Sequence, residues 1–205
     1  MNKIPAIFLD RDGTINEEMG YINHPSRFKI FPFVAESIKI FKSLGFKIIV
    51  VTNQSGVARE YFSEEIVKEV HGQLETYLSK RGIGLDAIYY CPHHPSEGKG
   101  KYLLDCECRK PKTGMIKKAA KDHNIDLEKS FMIGDRHKDI LFGKKMNLKT
   151  GMVLTGYGKG EYEYQRKNWS AMPDYVEENL LKIAEQIRFN FKSISGESAM
   201  DDSLT

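Results

Sequence analysis

The chain lacks most of what would tie it to a membrane, an extracellular space or a polyanion. No apolar run reaches the roughly 20 residues that a helix needs to span a bilayer. Met1 to Pro5 carries no long apolar segment of the secretory kind. Cysteine is scarce: the three, Cys91, Cys106 and Cys108, fall in one short window, and an odd number so placed suits metal binding better than a disulfide framework. Charge of one sign is not in excess either. Against 28 acidic residues stand 31 basic ones, a formal net charge of +3, too small to make nucleic acid or a membrane surface the partner. These deficits predict a cytoplasmic protein, and a monomer, since no exposed apolar stripe stands out. What remains is ordinary for a folded chain: 40% apolar and 29% charged residues in 205, enough for one sizeable core.

Short buried strands alternate with helices. Strands are predicted at Ile4 to Leu9, Phe46 to Val51, Asp86 to Tyr90, Ser130 to Ile133 and Thr150 to Leu154. Between them, helical spacing covers Phe33 to Leu44, closed by Gly45, and Ser63 opens a helix reaching about Lys80. Thr113 opens another to about His123, and a short one spans Lys138 to Lys145. Residues 155–170 read as a polar loop, with Pro173-Asp174 opening a last amphipathic helix to about Phe189. The expected organisation is one α/β domain over 1–190, a parallel sheet flanked by helices, and a flexible tail over 191–205. Ligands of such sheets sit at the carboxyl ends of the strands. Polar residues collect there, at Asp10, Thr52, Cys91 and Asp135.

In Asp10-Arg11-Asp12-Gly13-Thr14, two carboxylates one residue apart leave an extended chain on the same side. One can attack phosphorus, while the other protonates the leaving oxygen and later activates water. Alone, Asp-x-Asp-Gly is also an ordinary turn, but here it ends the buried run Ala6-Ile7-Phe8-Leu9. Thr52 and Asn53, in Thr52-Asn53-Gln54-Ser55-Gly56, offer a hydroxyl and an amide to phosphate oxygens. In Arg109-Lys110-Pro111-Lys112, Lys110 can fix a point charge on a transferring phosphoryl group, and Arg109 can fork onto a second anionic group. In Ile133-Gly134-Asp135-Arg136-His137-Lys138-Asp139, Asp135 can complete an oxygen shell for Mg2+ with Asp10 and the carbonyl of Asp12. Asp139 would support the metal waters or Lys110, and His137 is expected to face solvent. Cys91-Pro92-His93-His94 and Cys106-Glu107-Cys108 supply three thiolates and an imidazole for a closed, structural zinc site, with either histidine open as the fourth ligand.

Together these motifs, in this order, resemble the haloacid dehalogenase (HAD) phosphatase superfamily over roughly residues 4–155. The resemblance implies a Rossmann-like sheet without a large cap domain, and a hydrolase of phosphoric monoesters. Asp10 would be its nucleophile, Asp12 its acid/base, Thr52 and Lys110 its phosphate-binding residues, and Asp10, Asp12 and Asp135 its Mg2+ ligands. Within it, Phe8-Leu9-Asp10-Arg11-Asp12-Gly13-Thr14-Ile15-Asn16, Tyr89-Tyr90-Cys91-Pro92-His93-His94-Pro95 and Cys106-Glu107-Cys108-Arg109-Lys110-Pro111 are similar to the zinc-loop branch. That branch holds both heptose bisphosphate and histidinol-phosphate phosphatases. The double histidine, Ser55 and Gly114-Met115 favour the heptose side, with a histidinol-phosphate enzyme as the alternative. A nucleic-acid 3′-phosphatase or a non-catalytic phosphate-binding module stands further off. The resemblance assigns Zn2+ to Cys91, His93, Cys106 and Cys108. It implies a small sugar phosphate as partner, in a pocket shaped by Arg109, Arg136 and the segment Glu17 to Pro25, which contains Gly20 and Tyr21.

Overall fold

The computed structural model describes residues 2–195. Six strands form one parallel sheet: β1 (Ala6–Leu9), β2 (Lys47–Asn53), β3 (Ala87–Cys91), β4 (Phe131–Gly134), β5 (Lys149–Val153) and β6 (Tyr175–Glu177), in the order β3-β2-β1-β4-β5-β6. The helices are α1 (Val34–Ser43), α2 (Glu64–Ser79), α3 (Gly114–His123), α4 (His137–Lys144), α5 (Gly158–Gln165) and α6 (Leu180–Ser195).

Alternation along each strand divides its side chains between two cores. Ile7 and Leu9 of β1 with Ile48 and Val50 of β2 pack against Val34, Ile38 and Phe41 of α1, Leu74 and Leu78 of α2, and Ile183 and Ile187 of α6. Ala6 and Phe8 with Ile49 and Val51 face the other way, onto Met115, Ile116 and Ala119 of α3 and Phe142 of α4. Both sheet faces are therefore dry, and the central strands are apolar throughout rather than alternating. Chain order reverses between β1 and β4, the crevice where open parallel sheets bind ligands. Asp10 follows β1 there, and Asp135 follows β4.

The structure differs from the sequence-based expectation along the last third of the chain. Residues 155–170 are not a loop; they contain α5 and a short 3-10 turn, Arg166–Asn168. The α5 sequence GKGEYEYQ has almost no apolar period, so nothing in it announces a helix. Its buried side chain is Glu161, held by polar contacts. Pro173-Asp174 does not open the last helix. Asp174 accepts from Thr150 N (2.6 Å) and Thr150 Oγ1 (3.0 Å), which ties the edge strand β6 to β5. The helix starts at Leu180, where the Asn179 side chain caps Leu181 N and Lys182 N at 3.0 and 3.1 Å. It then runs past Phe189 to Ser195, into the segment expected as tail. Residues 196–205 of that tail lie outside the described residues. Among the described residues, no helix is long and apolar enough to cross a membrane.

Phe142 is fully buried between α4 and the sheet. Phe142→Ala is expected to cost about 3–5 kcal/mol of stability. Urea unfolding checks this as a lowered midpoint at unchanged slope.

Candidate active site

The carboxyl ends of β1, β2 and β4 meet around one buried lysine. Lys110 Nζ lies 2.8 Å from Asp10 Oδ1 and 2.7 Å from Asp139 Oδ1, and donates to the carbonyl of Val51 at 3.0 Å. Three partners use all three ammonium protons, so the side chain has one position. Burial alone would push the Lys110 pKa down, but Asp10 and Asp139 hold it above its usual value. Asn53 fixes the lysine's backbone from β2: Oδ1 accepts from Lys110 N (3.0 Å), and Nδ2 donates to Lys110 O (3.2 Å). Asp139 also accepts from Arg136 N at 3.2 Å, in a capping box at the start of α4.

Asp135 is fully buried. Its Oδ2 accepts from Tyr157 N (2.9 Å), while Oδ1 has no partner. Carboxylate oxygens of Asp10, Asp135 and Asp139 lie within 4.8 Å of one another. Burial pushes Asp10 upward against the pull of Lys110. Burial, Asp10 and Asp139 together push Asp135 well above the usual carboxylate range. Such a cluster of hard oxygens, one of them an orphan, fits a divalent cation of the magnesium type. Gly13 lets the two acidic loops touch: at its φ of +78°, a Cβ would fall 2.2 Å from Asp135 Oδ2.

Asp12 is held differently. Its carboxylate receives Arg11 Nη2 on both oxygens at 2.8 Å, Arg11 Nε at 3.2 Å, Asn16 Nδ2 at 3.0 Å and Gln54 Nε2 at 2.8 Å. Burial would raise its pKa, but the Arg11 guanidinium and the donated hydrogen bonds hold it below the usual range. Gln54 Nε2 also donates to Thr52 Oγ1 (2.9 Å), placing that hydroxyl beside the acid pair.

Asp10, Asp12, Thr52, Gln54 and Asp135 floor a cavity of about 280 Å³. Of the expected pocket residues, Asn53, Arg109, Arg136, Gly20 and Tyr21 line it. Arg136 is braced by Glu161 (Nε to Oε1, 2.8 Å) and lies 4.4 Å from the Tyr157 ring centroid; Tyr21 packs edge-to-face on Tyr61 at 4.8 Å. Glu17 is exposed and does not line the cavity. Its neighbour Glu18 does, half-buried and bonded to Gly20 N (2.6 Å). His137, expected in solvent, is half-buried. It stacks on Trp169 at 4.4 Å, and its Nε2 is 3.2 Å from the carbonyl of Ala171.

The wall also contains Arg59 and Lys138, neither foreseen from the sequence. Arg59 contacts Glu97 and approaches His94 Nε2 at 3.4 Å, and its Nε is buried without a partner. It sits in a loop after Gly56, away from any strand end, so no positional signal distinguishes it from a surface arginine.

Beside the cavity, Cys91 Sγ lies 3.4 Å from Cys106 Sγ, and Cys106 Sγ lies 3.1 Å from Cys108 Sγ. His93 Nδ1 is 3.4 Å from Cys108 Sγ and 3.7 Å from Cys91 Sγ. Of the two adjacent histidines, His93 joins this group; His94 Nδ1 instead accepts from Glu97 N and Ser96 N. The loop is latched to α2, because the hydroxyls of Tyr90 and Tyr102 both donate to Glu64, at 2.5 and 2.6 Å.

The HAD-hydrolase-like family model matches residues 107–183. The D-glycero-beta-D-manno-heptose-1,7-bisphosphate 7-phosphatase of Pasteurella multocida is 43% identical over 177 residues, 83% of this chain and 96% of that protein. The chain belongs to the heptose-1,7-bisphosphate 7-phosphatase family. Another member of the family, from Haemophilus influenzae, is 45% identical over 170 residues, covering 80% and 91% of the two chains. A solved heptose bisphosphate phosphatase, the D,D-heptose 1.7-bisphosphate phosphatase from B. bronchiseptica complexed with magnesium and phosphate, superposes with a TM-score of 0.80. It is 27% identical, and the match covers 91% of this chain and 99% of that one. The parallel sheet with its flanking helices is thus a HAD-like fold, and the chain is a phosphatase.

His71 of α2 is buried beside Arg11, and burial with that guanidinium pushes its pKa down to about 3 from 6.5. Its depressed value means that stability is fully present above pH 6.5 and is lost as pH falls toward about 3. The slope in that window is up to about 1.4 kcal/mol per pH unit. Urea unfolding of His71→Gln is expected to show a shallower loss between about pH 6.5 and about pH 4.5 than the unsubstituted protein.

Proposed function

We propose that the chain removes the C7 phosphate from D-glycero-β-D-manno-heptose 1,7-bisphosphate through an aspartyl phosphate on Asp10. The observation that carries this reading is one cavity with a reactive end and a separate cationic wall. Asp10, Asp12 and Thr52 lie at its floor with Lys110 buried behind Asp10, and Arg59 and Arg109 line its side. A substrate with two phosphates offers one to each. Guanidinium groups suit a held, non-reacting phosphate because they bind it by a fork. Tyr21 and Arg136 would shape the sugar's surroundings, and Glu18 offers a carboxylate to its hydroxyls. The β-anomer is taken from the names of the relatives.

In this reading Asp10 attacks phosphorus in line, forming the Asp10–phosphorus bond as the phosphorus–sugar oxygen bond breaks. Asp12, an anion in the free enzyme, takes up a proton when the substrate phosphate beside it raises its pKa, and gives that proton to the departing oxygen. Water then attacks the aspartyl phosphate and Asp12 takes its proton, so Asp10 is freed and inorganic phosphate leaves. Thr52 offers its hydroxyl to the transferring group, and Lys110, its three protons committed to Asp10, Asp139 and the Val51 carbonyl, supplies fixed positive charge from behind Asp10. Magnesium, for which Asp10, Asp135 and the Asp12 carbonyl are the proposed ligands, supplies Lewis-acid charge to the phosphoryl oxygens when bound.

Cys91, His93, Cys106 and Cys108 would hold a structural zinc. A tetrahedron with Zn–S near 2.3 Å and Zn–N near 2.0 Å has edges of about 3.5–3.8 Å. The observed donor separations of 3.1 to 3.7 Å are close to that. The enzyme would work in the cytoplasm, which keeps such thiols reduced, and as a monomer.

Asp10→Asn is expected to abolish turnover of the bisphosphate while circular dichroism stays unchanged; appreciable steady-state activity in that variant would require another nucleophile. In a phosphate-release panel, the β-bisphosphate should exceed the α-anomer and histidinol phosphate in kcat/KM. A preference for histidinol phosphate would overturn the substrate assignment. Metal analysis of purified protein should give zinc near one per chain. Stripping it should lower the thermal midpoint, since the polar loop over 91–108 has no core of its own.

A further inference from the structure

Arg11, between the two acidic residues of the first strand-end motif, is a fully enclosed cation: 2% of its surface is exposed. A charge so buried requires partners, and every contact of its guanidinium serves one group or its support. Nη2 bridges both oxygens of Asp12 at 2.8 Å and Nε reaches Oδ1 at 3.2 Å. Nη1 points the other way, 3.2 Å from Nε2 of His71, and the Phe28 ring centroid lies 5.9 Å from the guanidinium carbon. His71 is itself buried on α2 and packs edge-to-face on Tyr90 at 5.6 Å. It is neutral across the working range, its pKa held near 3 by burial and by Arg11. A neutral imidazole beside an obligate donor must accept through Nε2, which fixes its tautomer with the proton on Nδ1.

We propose that Arg11 and His71 are positioning residues for Asp12, forming a buried strut that fixes the direction of the carboxylate exchanging protons with sugar and water. This rests on the reading of Asp12 as the acid/base. The geometry gives the strut its specificity. Asn16 holds Oδ1 of Asp12 and Gln54 holds Oδ2 by one neutral bond each, whereas Arg11 alone reaches both oxygens from a single charged, planar group. Arg11 in turn keeps its plane only while Nη1 has an acceptor, and His71 is the acceptor the structure gives it. The strut runs from α2 through the loop after β1, so a helix outside the catalytic loops sets the aim of a group inside them.

The test compares His71→Leu, His71→Gln and Asp12→Asn on two substrates, the heptose bisphosphate and p-nitrophenyl phosphate. The sugar oxygen needs a proton to leave; p-nitrophenolate does not. Misaiming Asp12 in His71→Leu is therefore expected to lower kcat/KM for the bisphosphate by about 10–100-fold. That for the aryl ester should stay near the unsubstituted value. Hydrolysis of the aspartyl phosphate needs Asp12 with either substrate, so His71→Leu should also release a burst of p-nitrophenol stoichiometric with enzyme. His71→Gln, whose amide oxygen can accept from Arg11, should recover most of the loss.

Equal loss of kcat/KM on both substrates without a burst would make His71 merely structural and overturn the proposal, as would unchanged turnover in His71→Leu. Asp12→Asn separates the strut from the acid/base role of Asp12. Should it display the discrimination and burst while His71→Leu does not, the strut alone is wrong. Should it display neither, Asp12 is not the acid/base, and the strut falls with it.

Discussion

The site depends on one charge balance: an ammonium group placed in the dry interior between two carboxylates. Lys110 is fully buried, and a lone charge there would be prohibitive. Asp10 and Asp139 make it tolerable, and the lysine in turn makes Asp10 tolerable as an anion at the foot of a hydrophobic strand. Neither carboxylate can be understood without the other. The lysine arrives on the segment following the cysteine loop, Asp10 on the end of β1 and Asp139 on α4. The balance closes only when three distant stretches of chain are packed together. Asn53 adds a purely geometric constraint by clamping the lysine's backbone from both sides.

Around this centre the acidic groups divide into two electrostatic types. Asp10, Asp135 and Asp139 crowd one another, and an oxygen of Asp135 is left without a donor, which is an arrangement suited to a cation. Asp12 meets only donors. A motif with two aspartates one residue apart thus yields one group facing a metal-type pocket and one gripped by a guanidinium. The difference lies in the neighbours, Asn16, Gln54 and Arg11, rather than in the carboxylates themselves.

Much of this was legible in the sequence because the informative residues end apolar runs. Asp10 follows Ala6-Ile7-Phe8-Leu9, Thr52 ends Ile48-Ile49-Val50-Val51, and Asp135 follows Phe131-Met132-Ile133-Gly134; strand ends in a parallel sheet converge on one edge. The zinc-type cluster was legible for another reason, because soft ligands in close pairs have few other uses. What escaped has no such anchor. Helix α5 is polar nearly throughout, and its burial is achieved by Glu161 bonding Arg136 and His137 rather than by an apolar face. Strand β6 is three residues long, and Asp174, in sequence indistinguishable from a helix cap, accepts from Thr150 instead. Glu17 and Glu18 are adjacent in an irregular segment, where no period says which of two like residues faces inward. Arg59 and His71 enter the site from a loop and from a helix flank, where charge or an imidazole is unremarkable until tertiary packing encloses it.

The junction of β1 with β4 joins residues more than 120 positions apart in the chain, and the oxygens of Asp10 and Asp135 meet only across that seam. Loop-closure entropy makes such a pairing late and cooperative. No half of the chain can therefore hold a rudimentary version of the site: a nascent chain released before β4 has the nucleophile and Lys110 but neither Asp135 nor Asp139. Catalytic competence is in effect a binary report that the sheet has closed, so recovery of turnover on refolding would time the joining of its two halves.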